Sequence, residues 1–81
     1  MTFSEKEILN FIGEALEIGK KKISINSSAK NIENWDSLGQ LNILTKLDKK
    51  LSGKAFLIKK LVKANSAKQI IYILKSHKLI K

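Results

Sequence analysis

The sequence predicts a small all-α protein, a four-helix bundle forming a single domain over residues 1–81. Four amphipathic segments, each with apolar residues at helical spacing, are separated by polar breaks, and no alternating run is long enough to predict a strand. A chain of 81 residues has only a small hydrophobic core. These observations favour a compact binding or carrier module over an enzyme with a large internal active site.

The first helix is predicted to begin at Ser4. The stretch "SEKE" places Glu7 three residues later, which is the spacing of a capping box. Gly19 is the predicted stop, because glycine tolerates the left-handed conformation that ends many helices. One face of this helix is predicted to be apolar and contains Ile8, Ile12, Ala15 and Leu16.

Residues 20–36, "KKKISINSSAKNIENWD", form a long connection that is too polar for a core helix. Loops of this length in compact domains are usually functional or disordered. Four apolar residues can anchor this one to the domain, which favours an ordered loop: Ile23, Ile25, Ile32 and Trp35. Trp35 is interpreted as a packing residue beneath the loop.

The second helix is predicted to run from an N-cap at Asp36 to about Leu51, because a carboxylate can accept hydrogen bonds from the first free amides of a helix. The face predicted to be buried contains Leu41, Ile43, Leu44, Leu47 and Leu51. The opposite, solvent-facing side contains Leu38, Gly39, Asn42, Thr45, Lys46 and Lys49. Leu38 is therefore predicted to be an exposed apolar side chain beside Ser37.

The remaining chain predicts one short and one longer helix. After the "SGK" break at 52–54, "AFLIKKLV" is long enough for only a short helix or turn, with four residues available to pack: Phe56, Leu57, Leu61 and Val62. Ser66 is predicted to cap the last helix, with Gln69 completing the capping arrangement. The buried stripe of that helix contains Ala67, Ile70, Ile71 and Leu74. Leu79 and Ile80 are expected either to fold back or to fray.

The inventory of reactive side chains excludes several classes of site. The chain contains no cysteine and a single histidine, His77, which excludes disulfides, thiolate metal sites and sites with several histidines. A serine nucleophile would lack a nearby base, since His77 lies far along the chain in an exposed tail. The N-terminus does not read as a signal peptide, and no stretch approaches the roughly 18 apolar residues of a membrane span. We therefore expect a soluble, cytoplasmic, non-enzymatic protein.

The net charge of +9 has two interpretations. It could indicate a small basic helical module that binds nucleic acid. However, all 16 basic residues are lysine, whereas arginine is the usual residue for bidentate contacts to phosphate and guanine. Twelve isoleucines and six asparagines accompany them, and the codons of all three residues are rich in A and T. A biased genome could therefore explain the charge without a nucleic-acid partner.

The stretch "DSLGQLNILTKL" places Asp36, Ser37 and Leu38 at the start of the second helix. Ser37 could be an ordinary residue of the first turn, or a hydroxyl that another enzyme modifies. A helix N-terminus suits a phosphate-linked group, because its free amides and dipole favour negative charge. The stretch resembles the attachment signature of acyl carrier proteins, small four-helix bundles in which Asp-Ser-Leu opens the second helix. The resemblance extends over nearly the whole chain, including the long loop, the short third helix and the capped fourth helix.

This resemblance implies that Ser37 is esterified to the 4′-phosphopantetheine of coenzyme A by a separate magnesium-dependent phosphopantetheinyl transferase. The thiol of that group would hold acyl intermediates as thioesters and present them to separate loading and transferring enzymes, which would explain the absence of cysteine. Asp36 would position the helix start and the metal site of the modifying enzyme. Leu38 would contact partner enzymes. The protein itself is expected to be a monomer that binds no metal.

The sequence departs from the acyl carrier family in the charge of its second helix. Typical members are acidic along the exposed face of this helix, whereas here Asp48 is the only acid after the cap. The implied docking face consists of Leu38, Asn42, Lys46 and Lys49. This difference favours a carrier for a dedicated pathway over one that serves the usual enzymes of fatty acid biosynthesis. A bundle that keeps the carrier fold but has lost its cofactor is a further alternative.

Overall fold

The computed structural model describes residues 3–18 and 23–80, which form four helices around one hydrophobic core. The helices are α1 (Glu5–Ala15), α2 (Ser37–Lys50), α3 (Lys59–Lys63) and α4 (Ala67–Ser76). The described residues contain no strand, and the predicted small all-α fold is confirmed. Two isolated backbone bridges tie distant segments together, Phe3 with Ile80 and Ser28 with Ser66. None of the helices in these ranges is long and apolar enough to cross a membrane.

The three longer helices begin at their predicted N-caps. Each capping side chain accepts a hydrogen bond from the backbone N–H three residues on: Ser4 from Glu7 at 3.2 Å, Asp36 from Gly39 at 2.8 Å, and Ser66 from Gln69 at 3.2 Å. In α1 the Glu7 carboxylate also accepts from the N–H of Ser4 at 3.1 Å, which completes the capping box. These caps satisfy amides that have no acceptor within the helix.

The same backbone motif ends all three longer helices, and it uses residues other than glycine. In α1 the N–H of Ile18 donates to the carbonyl of Gly13 at 3.0 Å, and Glu17 has a left-handed φ of 59°. The helix therefore ends at Ala15. The predicted stop, Gly19, comes later in the chain and lies outside the described residues. The equivalent left-handed positions after α2 and α4 are Ser52, with φ of 56°, and Lys78, with φ of 59°.

Glu17→Gly should raise the free energy of unfolding by about 0.5–1 kcal/mol, because glycine adopts a left-handed φ without the steric penalty of a side chain. Glycine also adds conformational freedom to the unfolded chain, which limits the gain. Urea denaturation measures the difference. Glu33→Gly is the control, because it removes the same charge from an exposed position without a positive φ. If Glu17→Gly is no more stable than Glu33→Gly, Glu17 carries no backbone strain.

The buried core confirms most of the predicted packing residues. From α1, α2 and the C-cap residues that follow them, it contains Ile8, Ile12, Leu16, Ile43, Leu44, Leu47 and Leu51. From α4 it contains Ala67, Ile70, Ile71 and Leu74. The connection contributes Ile23 and Trp35, while Ile32 and Ala15 are half-buried against the core. Ile80 is buried and Leu79 packs against the core, so this end of the chain folds back.

Five apolar residues predicted to pack are instead exposed: Ile25, Leu41, Phe56, Leu57 and Val62. Leu41 is 51% exposed because, at 100° per residue, it lies about 100° from the centre of the buried face of α2. Gln40 lies near that centre instead. Before and within α3, the core positions are occupied by Ala55, Ile58 and Leu61, which are spaced three residues apart, so their neighbours Phe56, Leu57 and Val62 face outward.

Candidate functional site

Ser37 is the first residue of α2, and its side chain is exposed. Asp36 caps the helix beside it: its carboxylate accepts from the N–H of Gly39 and its carbonyl from the N–H of Gln40, both at 2.8 Å. The amides of the first turn, including those of Ser37 and Leu38, have no acceptor within the helix and form its positive end. The helix start therefore holds a hydroxyl group in a setting that favours an attached anion.

A cleft of about 430 Å³ opens beside Ser37. Its walls come from the connection, from the first turn of α2, and from the end of α3 with the residues that follow it. The lining residues are Ala29, Trp35, Asp36, Ser37, Gln40, Val62, Lys63 and Asn65. The lining includes one lysine, Lys63. His77 is not part of it and lies exposed at the C-cap of α4. The cleft thus offers a hydroxyl group without an imidazole base.

Gln40 joins the three walls of this cleft. Its side-chain oxygen accepts from the indole N–H of Trp35 at 2.6 Å, and its amide nitrogen donates to the carbonyls of Val62 at 3.1 Å and Ala64 at 2.7 Å. Trp35 is 3% exposed, so its predicted packing role is confirmed. The sequence prediction missed Gln40, because apolar periodicity gives no signal for a polar residue on a buried face.

The connection is also fixed to the start of α4 by backbone hydrogen bonds. The N–H of Ala29 donates to the carbonyl of Asn65, and the N–H of Ala67 donates to the carbonyl of Ser27, both at 2.9 Å. Ser27 is buried, and its hydroxyl accepts from the N–H of Ser24 at 2.9 Å. In the described residues from 23 onward, the connection is therefore an ordered wall of the cleft.

Gly39 was predicted to face solvent, and this prediction is wrong. It is buried, and a Cβ atom at this position would lie 2.1 Å from the carbonyl oxygen of Asn34 and 2.8 Å from Cδ2 of Leu16. The Asn34 side chain in turn donates to the carbonyl of Leu16 at 3.0 Å. The end of α1, the connection and the first turn of α2 thus meet at a point where only glycine fits.

The four predicted docking residues lie along one surface of α2. Leu38 is 66% exposed and lines a second cleft, of about 220 Å³, together with Asn42. Asn42, Lys46 and Lys49 line a third cleft, of about 410 Å³. Lys46 is half-buried, and its ammonium lies 3.8 Å from the Glu14 carboxylate. The structure therefore brings the predicted residues together, with the charge of Lys46 partly compensated by α1.

The chain was compared with protein-family models, with curated proteins and with solved structures. None of them matches it.

Proposed function

We propose that this protein is a discrete acyl carrier whose Ser37 receives 4′-phosphopantetheine. The observation that carries the proposal is the placement of an exposed Ser37 directly after the Asp36 N-cap, at the edge of an open cleft. The resemblance of Asp36-Ser37-Leu38 and its helix order to acyl carrier proteins supports the same conclusion. When attached, the group supplies the thiol that holds an acyl chain as a thioester.

The residues around Ser37 fit a phosphate-linked arm. A phosphodiester on the Ser37 hydroxyl would lie at the positive end of α2, near the free amides of its first turn. Lys63 lines the adjoining cleft and supplies a compensating cation. Asp36 is held in its capping hydrogen bond, so its carboxylate orients the helix start. The cleft, whose lining includes Trp35 and Val62, also leaves room for the arm.

Partner enzymes would bind along the surface of α2 beside the attachment site. The exposed Leu38 would supply the central apolar contact, while Asn42, Lys46 and Lys49 would set the polar and charged rim. Because this rim is basic, the partners would differ from enzymes that recognise acidic carriers. We therefore place the protein in a dedicated acyl-transfer pathway, with phosphopantetheinyl transferase as the modifying enzyme.

Intact-mass spectrometry tests the proposal after incubation with coenzyme A, Mg²⁺ and a phosphopantetheinyl transferase of broad specificity. The wild-type chain should gain the mass of one phosphopantetheine. Ser37→Ala should gain none and should remain folded, because alanine is well tolerated at an exposed helical position. Circular dichroism checks the fold of the variant.

Ser66→Asn is the matched control, since Ser66, like Ser4, is a serine at the start of a long helix, and asparagine keeps the N-cap. This control should be modified as the wild type is. Modification of Ser37→Ala would move the attachment site to another serine. An unmodified wild-type chain would favour a bundle that keeps the fold without the cofactor.

A further inference from the structure

The charged residues are distributed unevenly along the chain. Residues 1–48 contain six lysines and seven acidic residues, whereas residues 49–81 contain ten lysines and no acidic residue. A codon bias towards lysine would act on both parts of the chain and would not separate the two signs of charge. The excess positive charge of the protein therefore lies in residues 49–81, from the last turn of α2 onward.

Within this region, exposed apolar side chains lie among lysines. Leu57 is 79% exposed in the turn before α3, and Phe56 and Val62 are exposed on either side of it. The four lysines nearest in sequence are also exposed. We call these seven residues the basic apolar patch: Lys54, Phe56, Leu57, Lys59, Lys60, Val62 and Lys63.

The backbone beneath the patch is held in place. Ala55, Ile58 and Leu61 are buried and alternate with the exposed residues, so they anchor the segment to the core. The Asp48 carboxylate of α2 accepts from the N–H of Phe56 at 3.3 Å. The outward orientation of Phe56 and Leu57 is thus fixed by the fold.

We propose that the basic apolar patch binds the surface of an anionic lipid bilayer. Phe56 and Leu57 would enter the headgroup region, while the four lysines would place their aliphatic stems beside them and their ammonium groups on lipid phosphates. Clusters of four to eight basic residues are typical of proteins that bind anionic lipids, and each lysine near the surface strengthens binding about fivefold. Two patch residues, Val62 and Lys63, also line the cleft beside Ser37, but the proposal concerns the unmodified chain and does not depend on the modification of Ser37.

The composition of the patch favours a bilayer over the other anionic partners. Protein interfaces are depleted in lysine and need a complementary pocket for an apolar anchor. Nucleic-acid binding would use the lysines but would leave Leu57, the most exposed apolar residue of the patch, without an apolar contact. A fluid lipid interface accepts both kinds of side chain and needs no matching shape.

Sedimentation with lipid vesicles tests the proposal on the full, unmodified chain. The protein should bind vesicles of phosphatidylcholine and phosphatidylglycerol, should not bind phosphatidylcholine alone, and should dissociate as salt is raised. Lys59→Gln with Lys60→Gln should weaken binding about tenfold or more. The matched control is Lys49→Gln with Lys68→Gln, which removes the same charge from exposed positions outside the patch and should weaken binding much less.

A second variant, Phe56→Ser with Leu57→Ser, removes the apolar contact at two exposed positions and should also weaken binding severalfold. Equal weakening by the two lysine pairs would overturn the proposal, as would unchanged binding of the serine variant. Tighter binding to a DNA duplex than to anionic vesicles at the same salt concentration would replace it with a nucleic-acid surface. Because Ser37→Ala should bind vesicles normally, the result is independent of the carrier assignment.

Discussion

Gly39→Ala should lower the free energy of unfolding by about 2–3 kcal/mol, although the same change at an exposed helical position stabilises a helix by about 1 kcal/mol. The added Cβ would lie 2.1 Å from the Asn34 carbonyl oxygen, and this atom belongs to the backbone. The Asn34 carbonyl can move away from this Cβ only if the backbone of the connection moves away from α2. Packing therefore predicts that Gly39→Ala lowers the free energy of unfolding, whereas helix propensity predicts that it raises it. Urea denaturation distinguishes the two.

Asn42→Ala is the control, because Asn42 is exposed on the same helix and its replacement should be neutral or slightly stabilising. Leu16→Ala in combination with Gly39→Ala should not restore stability, because shortening Leu16 leaves the contact with the Asn34 carbonyl in place. If Gly39→Ala is as stable as the wild type, the connection does not lie against the first turn of α2.

Gln40→Ala should lower the free energy of unfolding by about 2–3 kcal/mol, because it removes three hydrogen bonds at once. The indole N–H of the buried Trp35 would lose its acceptor, and the carbonyls of Val62 and Ala64 would lose a donor. Leaving a buried polar group without a partner costs about 1–3 kcal/mol, more than the small gain in helix propensity. Thermal and urea denaturation measure the loss.

Gln40→Glu separates the hydrogen bond that Gln40 accepts from Trp35 from those that it donates to the two carbonyls. Glutamate can still accept from the Trp35 indole, but it cannot donate to the two carbonyls and places negative charge against them. It should therefore also destabilise the protein. Trp35 is the only tryptophan, so its fluorescence reports directly on this contact. Stability within about 0.5 kcal/mol of the wild type for both variants would contradict a structural role for Gln40.

The starts of the three longer helices were predictable from the sequence, because a capping side chain acts on amides only two or three residues away. Ser4, Asp36 and Ser66 all occupy their predicted N-caps. The end of α1 was not predictable in the same way, because its left-handed residue is Glu17, and sequence reasoning looks for glycine at such a position. Burial near α3 was mispredicted because large apolar residues were preferred over Ala55, which the fold places in the core.

At the candidate site, the sequence located Asp36, Ser37 and Leu38 because they are adjacent and lie at a helix start. The walls of the cleft could not be predicted, since Gln40 meets the carbonyls of Val62 and Ala64 only after α2 has packed beside the end of α3. The buried position of Gly39 also depends on a distant contact, that with the backbone of Asn34. Ser37 could thus be located from its neighbours in the sequence, whereas the residues around it in space depend on tertiary packing.

The backbone bridge between Ser28 and Ser66 affects which segments unfold together in local unfolding. Because the amides of Ala29 and Ala67 bond across it, each is protected from solvent exchange only while the connection and the start of α4 remain together. We therefore expect these two segments to open together in local unfolding, despite their distance along the chain. Any partner that loosens the start of α4 would also release the wall of the cleft that faces Ser37.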